Sequence, residues 1–173
     1  MSIAKIKSAV RDIPDFPKPG ILFKDITPVL LNPELFKSAV DLFVARHKLS
    51  KLTKIAAIES RGFVFGAAAA YQLGVGLIPI RKKGKLPYKT MEASYDLEYG
   101  QATLEIHVDA VKAGDRVVLI DDLLATGGTA AASASLLDKL GATVVEVDFL
   151  IELAFLNGRD KLVKYKVYAP VVF

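Results

Sequence analysis

Hydrophobic residues recur along the chain at two spacings. Helical spacing predicts four helices: a short one over residues 2–10, a longer one over 34–47, an alanine-rich one from Gly62 to Gly74, and one over 127–141. Asn32 and Pro33 mark the start of the second of these helices. Apolar runs predict buried strands over 54–58, 75–80, 115–120 and 143–153, and alternation over 102–108 predicts a half-exposed strand. Because strands alternate with helices, we expect an α/β fold with a parallel sheet and helices on both faces.

Two segments interrupt this pattern. Residues 11–33 hold five prolines, which exclude a regular helix or a central strand through most of the stretch. Its apolar residues are too many for a free linker, so we expect an ordered, extended segment that lies over the rest of the fold. Residues 84–100 are polar and contain glycine and tyrosine, and we expect one long, flexible loop there.

The composition is that of one globular domain covering residues 1–173. Hydrophobic residues make up 52% and charged residues 24%, which excludes a disordered chain. No apolar run approaches the roughly 20 residues of a membrane helix, and none near the N-terminus has signal-peptide length, so we expect a cytoplasmic protein without membrane contacts. Because cysteine is absent and histidine is rare, disulfides and thiolate sites are excluded and any metal would have oxygen ligands.

Positive charge is concentrated in one short stretch. The net charge is +4, and "RKKGKLPYK", residues 81–89, carries five of the basic side chains. Such a run is often a solvated face, and it also suits a phosphate ligand or a nucleic acid. No helix-turn-helix, zinc-finger or aromatic RNA-binding signature accompanies it, so we favour a small phosphorylated ligand over nucleic acid.

Three candidate functional segments each follow a predicted strand: 59–62, 81–85 and 121–129. Because the carboxyl ends of parallel strands share one edge of a sheet, we expect the segments to meet there. The turn 125–129, "ATGGT", has the features of a phosphate cradle, although a tight strand-to-helix connection would use the same glycines. Asp121 and Asp122 precede it, and carboxylates accept hydrogen bonds from vicinal hydroxyls. A sugar phosphate explains both features.

These residues carry a resemblance to a known family. "VVLIDDLLATGGT" resembles the phosphoribosyl-pyrophosphate signature of the type I phosphoribosyltransferases. Five further stretches, "DFPKPGILFKDITPVL", "IESRGFVFGAAAA", "PIRKKGKLPY", "ASYDLEYGQATLEIH" and "LIELAFLNGR", extend the resemblance to the adenine phosphoribosyltransferase family over nearly the whole chain. The resemblance implies the type I fold, with an N-terminal hood over residues 1–33 and a flexible catalytic loop at about 84–100.

The resemblance also implies a role for each candidate residue. Ala125, Thr126, Gly127, Gly128 and Thr129 would hold the ribose 5-phosphate, and Asp121 and Asp122 the ribose hydroxyls. The pyrophosphate would contact four residues: Ser60, Arg61, Arg81 and Lys85. Adenine would contact Leu22, Phe23 and Lys24, for which a small hydrophobic cluster is the alternative, and also Leu153. Glu98 and Tyr99 would be the catalytic pair, with Glu98 handling the adenine proton; a solvated loop acid is the alternative for Glu98.

The implied reaction is purine salvage. Adenine N9 attacks C1 of 5-phosphoribosyl 1-pyrophosphate, giving AMP and pyrophosphate. Mg²⁺ would be bound mainly through substrate oxygens and water, with no direct protein ligand required. The family also implies a homodimer. Two alternatives stay open: a phosphoribosyltransferase for hypoxanthine, guanine, xanthine or orotate, and a non-catalytic regulator that binds phosphoribosyl pyrophosphate.

Overall fold

The N-terminal part of the chain is a hairpin between two short helices, in a computed structural model that describes residues 3–96 and 101–173. Its elements are α1 (Ile3–Ala9), β1 (Arg11–Pro14), β2 (Leu22–Asp25) and α2 (Thr27–Leu31). β1 and β2 pair antiparallel in a sheet of their own. The segment is ordered and partly extended, as predicted, but the hairpin pairing and the helix α2 were not predicted. Pro28 is compatible with α2 because it occupies the first turn, where no backbone N–H is needed.

An eight-stranded sheet forms the centre of the fold. Its strands are β3 (Lys54–Ile58), β4 (Gly76–Lys82), β5 (Thr90–Asp96), β6 (Gln101–His107), β7 (Arg116–Leu124), β8 (Thr143–Glu152), β9 (Val167–Tyr168) and β10 (Val171–Val172). Their order is β10-β8-β7-β3-β4-β6-β5, and β9 also pairs with β8. Only the pairings of β6 with β4 and β5 are antiparallel among these strands. The predicted mainly parallel sheet is confirmed.

Three longer helices cover the two faces of this sheet: α3 (Pro33–His47), α4 (Arg61–Leu73) and α5 (Gly128–Lys139). Val117 and Leu119 of β7 join the core beneath α5, whereas Val118 and Ile120 join the core beneath α3 and α4. Because β7 is buried on both sides, its sequence is an unbroken apolar run rather than an alternation. The predicted cap of α3 is also confirmed, since Asn32 Oδ1 accepts from the N–H groups of Glu34 and Leu35 at 3.0 and 3.1 Å.

The stretch 84–100 is not one long loop. β5 occupies Thr90–Asp96 and pairs with β6 along its whole length. Met91, Ala93 and Tyr95 pack against the core, while Glu92 and Ser94 between them are exposed. This alternation of less polar, inward-facing residues with polar, exposed ones is the signal of a half-buried edge strand, and it was missed because the stretch as a whole is polar.

The C-terminal part adds features that the sequence did not predict. Short 3-10 helices at Ala154–Leu156 and Gly158–Lys161 follow β8, and β9 and β10 return along it. Each of these last strands is two residues long, too short for a periodic pattern. Among the described helices, none has the length and apolar composition needed to cross a bilayer.

Candidate active site

The three candidate segments lie at one edge of the sheet. β3 lies between β4 and β7 and runs parallel to both, so the carboxyl ends of these strands are adjacent. Arg61 begins α4 just after β3, Arg81 is near the end of β4, and Asp121 and Asp122 are near the end of β7. The predicted meeting of the segments is confirmed. One detail differs, because β7 continues to Leu124 and the two acids belong to the strand itself.

The glycine turn after β7 forms a cradle with unused backbone donors. Gly127 has φ +79°, which suits glycine, and α5 begins after it without a side-chain cap. The first N–H groups of α5 therefore point out of the helix without an internal acceptor. The turn borders a small pocket of about 70 Å³ whose lining includes Asp121, Leu123, Leu124, Ala125, Thr126, Gly127, Thr129, Ala130 and Phe149.

The cradle packs tightly against a second turn. A Cβ on Gly127 would collide with the carbonyl oxygen of Gly158, and a Cβ on Gly158 would collide with that of Ala125. Both positions therefore require glycine for this close approach. Sequence reasoning did not single out Gly158, because its role depends on a contact between segments 31 residues apart in the chain.

The two aspartates differ in their surroundings. Asp122 is 3% exposed, and Arg61 Nε lies 2.9 Å from its Oδ2. Burial raises the pKa of Asp122, and the Arg61 charge opposes that shift. Asp121 accepts the Asp122 N–H at 2.8 Å. Burial and the neighbouring Asp122 carboxylate raise the pKa of Asp121 well above its usual value. A ligand hydroxyl that donates to Asp121 would favour its charged form.

Arg61 connects the aspartates to the N-terminal hairpin. Its guanidinium lies 5.2 Å from the centre of the Phe23 ring, within the range of a cation–π contact. Phe23 also packs edge-on against Phe16, with ring centres 5.1 Å apart. The structure thus brings Phe23 of β2 to the candidate site, although it is far from Asp122 in the sequence.

The other predicted base-contacting residues are placed differently. Leu22 is 48% exposed on β2. Lys24 is turned away, since its ammonium lies 2.5 Å from Asp12 and 4.2 Å from the centre of the Phe173 ring. Its side chain is occupied, which leaves only its backbone for a ligand. Leu153 is buried, and its N–H donates to Leu124 O at the end of β7 at 2.9 Å.

Two glutamates position the predicted pyrophosphate-binding residues Arg81 and Lys85, one through a side chain and the other through the backbone. Arg81 Nε donates to Glu59 at 3.0 Å, and Arg81 Nη1 donates to the carbonyl of Lys85 at 3.0 Å. Burial opposes ionisation of Glu59, but Arg81 and the Lys82 N–H lower its pKa overall. Buried Glu105 accepts the N–H groups of Lys85 and Leu86 at 2.8 and 2.6 Å. Burial likewise opposes ionisation of Glu105, yet these backbone donors lower its pKa. Ser60 is exposed at the start of α4.

The predicted catalytic pair, Glu98 and Tyr99, lies outside the described residues. The strands on either side, β5 and β6, are described up to Asp96 and from Gln101. One residue of β5 contacts the cradle directly, because the Thr129 hydroxyl donates to the Tyr95 hydroxyl at 3.0 Å.

A separate cluster of polar side chains lies away from this edge. His47, Glu146 and Asp148 are buried, with potential ligand atoms within 4.8 Å of one another. Arg46 already donates to both oxygens of Glu146, at 2.7 and 2.5 Å. His47 Nε2 lies 2.6 Å from Asp148 Oδ2. The cluster therefore contains its own cation and has no vacant set of metal ligands.

Comparison with known proteins gives consistent matches. The phosphoribosyl transferase domain model matches residues 29–169. The adenine phosphoribosyltransferase of Carboxydothermus hydrogenoformans is 54% identical over 97% of this chain and 99% of its own. The structure of the Thermoanaerobacter pseudethanolicus adenine phosphoribosyltransferase superimposes with a TM-score of 0.96 at 52% identity, covering 99% of this chain and 100% of that one. That of the Saccharomyces cerevisiae enzyme, complexed with an imino-altritol bisphosphate and adenine, has a TM-score of 0.94 at 42% identity, covering 98% of each chain.

Proposed function

The chain belongs to the phosphoribosyltransferases and, within them, to the adenine phosphoribosyltransferases, and we propose that it joins adenine to 5-phosphoribosyl 1-pyrophosphate, forming AMP and pyrophosphate. One observation carries the proposal. A glycine turn with unused N–H donors directly follows two carboxylates on the same strand. This arrangement fits a ribose that carries a phosphate at one end and hydroxyls at the other.

The cradle and the two aspartates bind different parts of the ribose 5-phosphate. Residues 125–129 bind the phosphate through backbone N–H groups and hydroxyls at the start of α5. Asp121 and Asp122 accept hydrogen bonds from the ribose 2- and 3-hydroxyls. Their negative charge also stabilises the positive charge that develops on the ribosyl ring as pyrophosphate departs.

The cations at the ends of β3 and β4 bind the leaving group. Arg61, with Ser60 beside it, approaches from the start of α4, and Arg81 and Lys85 approach from β4 and the turn after it. The planar guanidinium of Arg81 donates to Glu59 and to the carbonyl of Lys85, which fixes its plane and leaves its remaining N–H groups for phosphate oxygens. Lys85 is exposed and adds a point charge.

The hairpin and the segment after β5 act on the base. Leu22, Phe23 and Leu153 offer apolar contacts to adenine, and Lys24 contributes backbone groups. Glu98 accepts the proton that adenine loses as N9 becomes nucleophilic, and Tyr99 packs beside it. Exclusion of water from the reactants matters here, because water would otherwise compete with adenine for the ribosyl carbon.

Mg²⁺ fits this site as an ion held mainly by the substrate. The described residues at this edge offer oxygen atoms from Asp121 and Asp122, but Asp122 is already paired with Arg61. They form no closed cage of ligands, which agrees with the preference of Mg²⁺ for water and phosphate oxygens. When bound, the ion supplies positive charge that stabilises the departing pyrophosphate.

A homodimer and a cytoplasmic location are part of the proposal. Val64 and Tyr71 are exposed and lie seven residues apart on one side of α4, which gives an apolar strip for a second copy to cover. The proposed substrate and product carry phosphate charges that a bilayer excludes, which favours the cytoplasm as the place of reaction.

The proposal is tested by measuring pyrophosphate release with phosphoribosyl pyrophosphate, Mg²⁺ and each base in turn: adenine, hypoxanthine, guanine, xanthine and orotate. We expect turnover with adenine and little with the others. Turnover with hypoxanthine but not adenine would change the assigned base. Tight binding of phosphoribosyl pyrophosphate without turnover on any base would favour a non-catalytic regulator instead.

A further inference from the structure

The phosphate cradle is connected to the edge of the sheet by a pair of hydroxyls. Thr129, in the first turn of α5, donates to the phenol oxygen of Tyr95 on β5 at 3.0 Å. Thr129 lines the cavity at the cradle, whereas Tyr95 stands behind it and is partly buried against the core beneath α5. Within the described part of the chain, the bond to Thr129 is the polar contact between Tyr95 and the cradle.

When one hydroxyl donates a hydrogen bond to another, the second hydroxyl still has its own proton, which it can donate to a further acceptor. When Thr129 donates to Tyr95, the Thr129 proton points away from the cradle. If Tyr95 donates instead, the Thr129 proton is released toward the cavity. Each hydroxyl can both donate and accept, and hydroxyl hydrogens rotate without movement of the heavy atoms. The direction of this bond is therefore free to follow what occupies the cradle.

We infer that Tyr95 is a positioning residue for the phosphate subsite, an inference that rests on the proposed function. When a phosphate occupies the cradle, the bond reverses: Tyr95 donates to Thr129 Oγ1, and Thr129 donates to a phosphate oxygen. The two bonds then form a chain that ends on an anion, and each strengthens the other. Tyr95 also fixes the Thr129 side chain in the orientation that the phosphate needs.

The position of Tyr95 gives this contact a second consequence. Tyr95 lies two residues before Leu97, the first residue of the segment that carries Glu98. Binding of the phosphate strengthens the bond between Thr129 and Tyr95, and so holds the end of β5 against the start of α5.

The test is Tyr95→Phe, which removes only the hydroxyl. We expect the KM for phosphoribosyl pyrophosphate, and the Kd values of AMP and ribose 5-phosphate, to rise about five- to tenfold, the effect of losing one hydrogen bond in a charged network. Affinity for adenosine, which lacks the phosphate, should not change. A purely structural role would lower the melting temperature and weaken adenosine and AMP equally.

Two controls separate the possible results. Ser94→Ala removes the hydroxyl pair between Ser94 and Thr103 in the same hairpin, at 2.9 Å, and should leave AMP affinity unchanged. In a Thr129→Val background, Tyr95→Phe should add nothing, because the two residues act as one chain. The inference is overturned if Tyr95→Phe leaves AMP affinity unchanged, or if Tyr95→Phe weakens AMP binding just as much in the Thr129→Val background. Neither result would contradict the proposed function. If the parent protein binds neither ribose 5-phosphate nor AMP, the proposed function falls with it.

Discussion

Individual glycines determine how closely the parts of the site approach one another. Gly62, in the first turn of α4, lies against the end of β7, and a Cβ there would be 2.8 Å from Asp121 Oδ1 and 2.9 Å from Ile120 O. Both distances are too short for a carbon atom, and one of the atoms belongs to the backbone. The absence of a side chain at this position is what lets Arg61 reach Asp122.

We expect Gly62→Ala to affect both stability and substrate binding. The new methyl group must push α4 away from β7, which should lower the free energy of unfolding by about 1–3 kcal/mol, as in other overpacked sites. It should also raise the KM for phosphoribosyl pyrophosphate, because Arg61 and Asp121 both move. Denaturant unfolding and steady-state kinetics measure the two effects.

Gly76→Ala is the matched control for this substitution. A Cβ on Gly76 would meet only the Lys54 side chain, at 3.4 and 3.9 Å, which is ordinary contact. The control should keep the parent's stability and kinetics. Equal unfolding midpoints for the two variants would show that the close approach at Gly62 is not needed.

At the residue scale, the sequence could not predict which side chains bond to one another when they are far apart in the chain. Arg81 and Lys85 were identified from their charge. Glu59 lay in the candidate segment 59–62 without an assigned role, and Glu105 was not singled out. Glu105 belongs to an alternating strand pattern, and nothing in that pattern shows that its carboxylate binds the turn of Lys85. Such roles depend on which strands become neighbours, and a single sequence does not state this.

At the scale of elements, a helix or strand could be predicted where its apolar residues form a clear pattern that stands out from the polar residues on either side. The buried strands β3 and β7 and the helices α3, α4 and α5 have long patterns, and all were predicted. The hairpin of β1 and β2 was missed because its strands are only four residues each and its prolines suggested irregular structure. The missed elements carry Phe23 and Tyr95, so the errors fall on elements that border the site.

The hairpin is fixed to α2 by Asp25, which allows a test of its function. Asp25 accepts the Thr27 N–H at 2.9 Å and a bond from Arg11 at 2.7 Å. Hydrogen bonds from Thr27 and Arg11 lower the pKa of Asp25 to about 2, so it is charged at neutral pH. It also lines the apolar cleft formed by Ile13, Phe16 and Phe23.

We expect Asp25→Asn to raise the KM for adenine about threefold, because an exposed ion pair contributes less than about 1 kcal/mol. The KM for phosphoribosyl pyrophosphate should stay constant, since the cradle and its aspartates are on other elements. Asp41→Asn, which removes an ion pair with Lys37 on α3, serves as the control. A change in the phosphoribosyl-pyrophosphate KM with no change for adenine would contradict the assignment of the hairpin to the base.

At the scale of the whole molecule, the substrate site and a buried cluster of charged side chains occupy different parts of the fold. The site occupies the carboxyl edge of the sheet, whereas Asp148 lies in the middle of β8, opposite Ile120. Arg46 and His47 face Asp148 from α3, Glu146 lies beside it on β8, and Tyr168 stacks under Arg46 from β9 with 4.1 Å to the ring centre. The cluster joins α3 to the sheet without contributing to the cradle.

This separation predicts a pH dependence of stability that leaves activity unaffected. Burial raises the pKa of Asp148 from 3.8 to about 6, although the hydrogen bond from His47 opposes the shift. The folded protein therefore holds a proton that the unfolded chain releases near pH 4. The stabilising contribution is complete below about pH 4 and is lost as the pH rises to about 6, a fall of up to about 3 kcal/mol in the free energy of unfolding.

Asp148→Asn should remove this fall, because an amide does not titrate. Denaturant unfolding between pH 4 and 7 should show a flatter profile for the variant than for the parent, and the exposed Asp160→Asn should retain the parent's slope. At pH 7 the kinetics of Asp148→Asn with adenine should match the parent's, because the described side-chain contacts of the cluster join its own members and none reaches Asp121, Asp122 or the cradle. A parent profile that is flat between pH 4 and 6 would show that Asp148 keeps an ordinary pKa in the folded protein.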